Sequence, residues 1–247
     1  MNFLSLFKRK ILYKLKKKIN IDLDSIKKNT LDELLHYYGS DKANIFKNTK
    51  EKGHGFSKFY TEELSSLRDK EIKILEIGSY AGASSAAFLK FFKKSSIFCF
   101  DVNISNFIYY SKNIRVYGLD INNEKKLKET LKKICTHNNL NFFDVIIDDG
   151  SHNLSDILFS LKILFRYLKK GGIYVIEDFK YPNYYDYNRN INHIFVDQVL
   201  TKLKEKKIFP SSIFTNEDQN FLQNNIKKIN IYKGNLEESD ISFIKKI

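Results

Sequence analysis

After Lys70 the chain alternates short apolar runs with longer stretches of helical period; the runs fall at residues 72–77, 97–102, 114–119, 143–147 and 173–176. Such alternation predicts parallel strands joined by crossover helices, because a strand buried on both faces reads as a continuous apolar run. Between the last two runs, Leu158, Leu161, Phe165 and Leu168 form a helical stripe, and Gly171-Gly172 is expected to end that helix. Two further strand-like segments, 228–233 and 241–244, are separated only by a polar turn around Gly234-Asn235. A connection this short makes an antiparallel hairpin. The expected fold is therefore α/β: a mainly parallel seven-stranded sheet with a C-terminal antiparallel hairpin.

Residues 21–70 read differently, as helices and loops. Thr30-Leu31-Asp32-Glu33 has the spacing of a capping box, with Thr30 as N-cap and Glu33 three residues on. A second helical segment follows at 62–67, and between the two lie the loops Tyr38-Gly39-Ser40-Asp41-Lys42 and Gly53-His54-Gly55-Phe56. This stretch is expected to cap the sheet domain, which gives three segments: 1–20, a helical cap at 21–70, and a sheet domain at 71–247.

The first 20 residues change the picture through their charge. The chain carries a formal charge of +13, and residues 8–18 hold Lys8, Arg9, Lys10, Lys14, Lys16, Lys17 and Lys18 with no acid before Asp22. Over half of the net excess lies in this one segment. Leu4, Phe7, Ile11, Leu15 and Ile19 recur among these residues at helical spacing, which describes a basic amphipathic helix. Two readings fit it: contact with an anionic membrane surface, or docking of the apolar stripe on the body of the protein. With 43% hydrophobic and 15% aromatic residues the remainder is expected to fold around a sizeable core. Cys99 and Cys135 make neither a disulfide framework nor a zinc ligand set, so a reducing cytoplasm is the expected location. No apolar run is long enough to span a membrane.

Ligands of open α/β sheets bind beyond the carboxyl ends of the strands. The loop after the first parallel strand reads Glu76-Ile77-Gly78-Ser79-Tyr80-Ala81-Gly82-Ala83-Ser84, a nucleoside-binding strand, loop and helix start. Gly78 and Gly82 permit a tight turn, and the helix presents its N-terminal amides. A dinucleotide fingerprint needs glycine where Tyr80 stands, which disfavours NAD. Glu76 suits a cationic amino-acid group, Asp101 at the end of the second strand a ribose diol, and Asp120 after the third an adenine amino group.

These residues resemble the S-adenosylmethionine site of class I methyltransferases, whose Rossmann-like fold has five parallel strands closed by an antiparallel hairpin; the resemblance extends over roughly residues 36–247. More narrowly, Tyr38 to Lys42, the run Ile146-Ile147-Asp148-Asp149-Gly150-Ser151-His152, and Ile176-Glu177-Asp178 resemble the metal-dependent macrolide sugar O-methyltransferases of the mycinamicin type and the cephalosporin hydroxylase group. The resemblance implies S-adenosylmethionine held by Tyr38, Ser40, Lys42, Glu76, Gly78, Ser79, Tyr80, Gly82, Ser84, Asp101, Asp120 and Asp148, with the Tyr38–Lys42 loop closing over it. It also implies Mg²⁺ on Asp149 and the acids at 177 and 178, with Asp149 and His152 catalytic and His152 the general base. The macrolide enzymes carry paired aspartates where this chain has Glu177-Asp178, which leaves open which of the two ligates.

The residues themselves support the same chemistry. A neutral sugar hydroxyl is a poor nucleophile near pH 7, and histidine is the side chain that ordinarily exchanges a proton there. Clustered carboxylates without paired cysteines favour a hard cation. Such an ion can hold two neighbouring hydroxyls and lower the pKa of one. The tyrosine-rich segment 179–187, with Tyr181 and Tyr184, and His54 and Tyr60 in the cap, are candidate acceptor contacts. The expected partners are a sugar-containing metabolite or glycan, the inner face of a membrane through residues 1–20, and a second copy of the chain in a homo-oligomer. Two alternatives remain: a nucleic-acid methyltransferase suggested by the net charge, and a membrane-surface binding protein with an inactive core. Nucleic acid is disfavoured because the Asn-Pro-Pro-Tyr type of loop that holds a flipped base is replaced by Asp148 to His152.

Overall fold

The structure is a computed structural model and describes residues 3–137 and 142–247. Seven strands form one sheet in the order β5-β3-β2-β6-β7-β9-β8, with β2 (Glu71–Ile77), β3 (Lys94–Asp101), β5 (Ile114–Gly118), β6 (Phe143–Asp148), β7 (Leu168–Glu177), β8 (Ile226–Lys233) and β9 (Asp240–Lys246). The sheet is mainly parallel with an antiparallel hairpin, as expected: β2, β3 and β5 pair in parallel, as do β6 and β7, while β9 runs antiparallel to both β7 and β8. The chain divides into two compact units, residues 1–127 with 234–236, and residues 128–233 with 237–247.

In the first unit, α2 (Leu31–Tyr38) starts at the expected capping box. The Glu33 N–H donates to Thr30 Oγ1 at 3.2 Å, and the Thr30 N–H donates to Glu33 Oε2 at 3.1 Å. Gly39 ends the helix with φ +83°, a left-handed value that glycine adopts at little cost. Helices α2 and α3 (Ser57–Leu64) pack together, and α2 also packs on α4 (Ala83–Phe91). The apolar positions of β2 and β3, among them Ile72, Ile74, Leu75, Ile97, Phe98 and Phe100, are buried.

The N-terminal helix is shorter than its pattern predicts. Helix α1 spans Phe3–Leu15, and the chain then enters β1 (Ile19–Asn20), paired in parallel with β4 (Tyr109–Tyr110). The cause is local: the Ile19 N–H donates to Ile108 O at 2.8 Å, and Lys18 Nζ donates to Tyr13 O at 2.7 Å, so helix is exchanged for a strand pair. Helix α1 sits on the body through Arg9, Tyr13 and the Lys10 stem, while Phe7, Ile11 and Leu15 of the expected stripe are exposed. Docking through the stripe, one of the two readings of this segment, is therefore not what the structure contains.

In the second unit, the stripe Leu158, Leu161, Phe165 and Leu168 is buried as expected. Gly171-Gly172 does not end the helix, however. Helix α6 (Leu154–Leu164) passes through a 3₁₀ turn at Phe165–Tyr167 into β7, and the glycine pair lies inside that strand. The pairing jumps from Phe143↔Leu168 to Val145↔Ile173, so the pair forms an irregularity in the ladder. Gly171 has φ +73°, and a Cβ on Gly172 would come within 2.8 Å of Asp144 O. A glycine pair in a strand marks a kink as readily as a helix end.

The unit also contains α8 (Val196–Lys204) and α9 (Asn216–Asn225). Asp218, near the start of α9, accepts from Arg166 Nη2 at 2.9 Å and pairs with Lys162 Nζ at 3.2 Å. Burial works against ionisation of Asp218. The Thr215 N–H, Arg166, the Thr215 hydroxyl and Lys162 outweigh it and hold the carboxyl at about 2. A depressed carboxylate pKa stabilises the fold fully above its unfolded value, and that stability is lost as pH falls through the folded value. Asp218→Asn is therefore expected to lower stability at pH 7 by about 2 kcal/mol in denaturant titrations, the scale of hydrogen bonds to charged groups. The difference from wild type should shrink as pH falls from about 4 towards 2; a difference constant across that range contradicts this account.

Candidate active site

In the first unit the strand ends carry three acids, each in a different setting. Glu76 is fully buried and accepts from Ser84 Oγ at 2.5 Å and from Ser85 Oγ, which ties the end of β2 to the first turn of α4. Ser85 also contacts Cys99 Sγ at 3.2 Å, and burial followed by the Glu76 charge pushes the Cys99 thiol well up. Asp101 accepts the Tyr80 N–H on Oδ2 at 2.7 Å and the Asn103 N–H on Oδ1. Asp120 Oδ1 accepts the Asn122 N–H at 3.1 Å. Each acid thus shapes the backbone turn beside it.

The loop between β2 and α4 is held in left-handed backbone at three places, Gly78, Tyr80 and Gly82. Gly82 is required by packing as well: a Cβ there would lie 2.4 Å from the Phe107 ring. Tyr80 is not glycine, and its φ of +42° is unfavourable for a bulky side chain, yet its ring is exposed. Ser79 and Ser84 are buried beside it.

Tyr38, Ser40 and Lys42 are all buried. The Tyr38 hydroxyl donates to Asp24 Oδ2 at 2.8 Å, and burial and that acid push it far up. The loop is pinned to the segment 53–57 by backbone bonds, with His54 N–H donating to Asp41 O at 2.7 Å and Gly55 N–H to Ala43 O at 3.0 Å. His54 stacks near Phe56, and its carbonyl accepts the Asn235 N–H at 2.9 Å. Tyr60 is fully buried against Phe88 at 5.1 Å, so it is a core residue of the cap and is not exposed to an acceptor.

In the second unit the turn after β6 and the end of β7 bring Asp149, His152 and Asp178 together. One ligand atom from each lies within 4.8 Å of the others. His152 Nε2 stands 3.7 Å from Asp149 Oδ1, and the His152 ring lies 4.7 Å from that of Tyr181. His152 and Asp178 both adopt left-handed backbone, with φ +56° and +49°. Helix α7 (Tyr181–Tyr184) follows at once, the Tyr181 N–H donating to Asp178 O at 2.9 Å. Glu177, the last residue of β7, is buried and does not fall in the cluster.

Asp148 is buried one residue before the cluster. Burial, joined by the Asp149 charge, pushes it up to about 7 against the pull of Ser160 and the Gly150 N–H. Its Oδ2 receives the Tyr174 hydroxyl at 3.4 Å, and Tyr174 contacts Ser160 Oγ at 3.0 Å. Tyr184 does not point freely: its hydroxyl donates to Asp240 Oδ2 at 3.1 Å. The buried Asp240 also pairs with Lys180 at 3.1 Å and Lys233 at 2.9 Å, fastening the tyrosine-rich segment to the hairpin. Sequence spacing offers no signal for Asp240 or Tyr174, because their partners are distant along the chain.

The donor set is suited to a divalent cation: two carboxylates with an imidazole at their edge, beside the Tyr181 ring. Hard cations take carboxylate oxygens, and imidazole broadens the choice towards Mn²⁺ and Fe²⁺.

Residues 75–179 match the family model described as a methyltransferase domain. The chain is 32% identical over 155 residues to L-olivosyl-oleandolide 3-O-methyltransferase of Streptomyces antibioticus, a match covering 60% of this chain and 36% of that protein. It is 28% identical over 132 residues to mycinamicin VI 2''-O-methyltransferase of Micromonospora griseorubida, covering 51% and 31%. The matched segment thus spans about a third of these relatives. Among solved structures it is similar to the MycE methyltransferase of the mycinamycin pathway, in complex with Mg, SAH and mycinamycin VI. The TM-score is 0.68 at 22% identity, over 89% of this chain and 55% of that one.

The geometry predicts that Asp149→Asn and Asp178→Asn each weaken Mn²⁺ binding at least tenfold, whereas Glu177→Gln leaves it within about twofold, as measured by paramagnetic resonance of free Mn²⁺. A larger loss from Glu177→Gln than from Asp178→Asn contradicts the assignment.

Proposed function

We propose that this chain, which carries a methyltransferase domain and has the class I methyltransferase fold, transfers a methyl group from S-adenosylmethionine to a sugar hydroxyl with the help of a divalent cation such as Mg²⁺. The observation that carries the reading is the cluster of Asp149, His152 and Asp178, on left-handed backbone after two parallel strands. The similarity to macrolide sugar O-methyltransferases supports a sugar-bearing acceptor.

Asp149 and Asp178 would hold the cation, and a bound cation supplies Lewis-acid stabilisation of the acceptor oxygen as its proton leaves. His152, whose Nε2 stands 3.7 Å from Asp149 Oδ1, accepts that proton. Tyr181 fixes the imidazole ring from one side and brings an apolar face. In the first unit, Asp101 would bind the ribose diol and Asp120 the base, while the Gly78–Gly82 loop accommodates the amino-acid end. The products are an O-methyl sugar, S-adenosylhomocysteine and a proton released through His152.

The test is transfer of labelled methyl from S-adenosylmethionine to sugar nucleotides, glycolipids and glycosylated metabolites, with and without Mg²⁺. His152→Ala is expected to reduce turnover about 10²–10⁴-fold while S-adenosylhomocysteine affinity stays near wild type. Chelation should abolish turnover and Mg²⁺ restore it. Full turnover in His152→Ala sinks the base assignment, and activity indifferent to chelation sinks the metal.

Helix α1 supports a further element of this reading, contact with an anionic membrane. Ile11, Leu12 and Leu15 are exposed on a helix whose flanking residues include Lys8 and Lys14. Among the described residues no helix is long and apolar enough to cross a membrane. Ile11→Ser with Leu15→Ser is expected to abolish co-flotation with phosphatidylglycerol-containing vesicles. Equal flotation of both proteins, or none by wild type, removes the membrane from the account.

A further inference from the structure

A cavity of about 660 Å³ in the first unit is lined on one side by the end of β5 and the residues after it, Gly118, Leu119 and Asp120, and on the other by Leu6, Phe7 and Lys10 of α1. Its position follows from strand register. Asp101 and Gly118 are partners in the β3–β5 pairing, and the Leu119 N–H donates to Asp101 O at 3.0 Å. A nucleoside whose ribose rests on Asp101 therefore has its base carried one strand across, towards Gly118–Asp120.

What closes this cavity is the N-terminal helix. Arg9 Nη1 donates to Val102 O at 2.8 Å, immediately after Asp101, and Lys16 Nζ donates to Ser105 O at 2.9 Å. The Lys10 stem lies over Gly118, where an added Cβ would come within 3.2 Å of Lys10 Cε. Tyr13 meets Phe107 edge-on at 6.5 Å. These contacts hold α1 across the loop after β3 and the end of β5, and they set Phe7 at the mouth of the cavity with 55% of its surface still exposed. A large aromatic ring half presented to an open cavity beside an acid is the arrangement that recognises a base by stacking.

Resting on the cofactor reading above, we propose that α1 is part of the nucleoside site: Phe7, backed by Leu6, is the outer wall on which the purine of S-adenosylmethionine stacks, opposite the Gly118–Asp120 turn. The basic helix then divides along its length: Phe7 and Lys10 line the cofactor's cavity, and Ile11, Leu12 and Leu15, further along, remain for another surface.

The chain contains no tryptophan, so a single introduced indole reports without background. In the full chain, Phe7→Trp is expected to show saturable quenching of emission on titration with S-adenosylhomocysteine. Leu15→Trp, about 12 Å further along the same helix, is expected to show none. Phe7→Ala should weaken S-adenosylhomocysteine about tenfold by calorimetry, the scale of losing one base–aromatic stack, with its melting temperature unchanged because the side chain is largely exposed. If wild type binds S-adenosylhomocysteine but Phe7→Ala binds it equally well and Phe7→Trp emission does not respond, the wall is overturned and the cofactor reading stands. If wild type does not bind it, both fall.

Discussion

The structure depends on a backbone constraint repeated at three strand ends. Tyr80, His152 and Asp178 all take left-handed φ values without being glycine, at the turns that follow β2, β6 and β7. Each such residue costs roughly 1–3 kcal/mol and persists only where its surroundings over-determine it. At Tyr80 the determinant is its N–H bond to Asp101. At Asp178 it is the immediate start of α7, whose first N–H returns to the Asp178 carbonyl. His152 is braced by the Tyr181 ring and lies near the Asp149 carboxylate. His152 and Asp178 are also two of the three residues in the carboxylate–imidazole cluster.

A second regularity is that the acids have local work before any ligand arrives. Glu76 holds the start of α4, Asp101 and Asp120 shape the turns after β3 and β5, and Asp148 is bound into a buried group with Tyr174 and Ser160. A carboxylate oxygen accepts more than one hydrogen bond, so these duties orient the acids without exhausting them. Preorganisation of this kind lowers the reorganisation needed when charge moves at a site.

Much of this was legible in the sequence because it depends on local pattern. The apolar runs gave the strands, Thr30 and Glu33 the start of α2, and Asp148 to His152 the turn that places Asp149 and His152 after β6. Legibility failed where a residue's role is set by a distant neighbour. Gly171-Gly172 reads equally as a helix stop or a strand kink, and Asp144 across the ladder decides between them. Tyr60 and Tyr184 look like acceptor contacts in a tyrosine-rich chain, but Phe88 and Asp240 engage them. Glu177 and Asp178 sit side by side in the sequence, yet Asp178, on left-handed backbone just past β7, groups with Asp149 and His152, while Glu177 is the buried last residue of the strand.

The turn at Asn235 bears on how the molecule is made. Its N–H and side-chain amide reach His54 O and Gly53 O, some 180 positions earlier, and a Cβ on Gly55 would collide with its side chain. On a ribosome the segment 53–55 emerges long before residue 235 exists. These contacts of segment 53–55 therefore wait, with its carbonyls served by water, until residue 235 has been synthesised. The segment that braces the Lys42 loop is thus completed only once Asn235 has emerged, and a nascent chain that stalls before it would leave the Gly53 and His54 carbonyls without that partner.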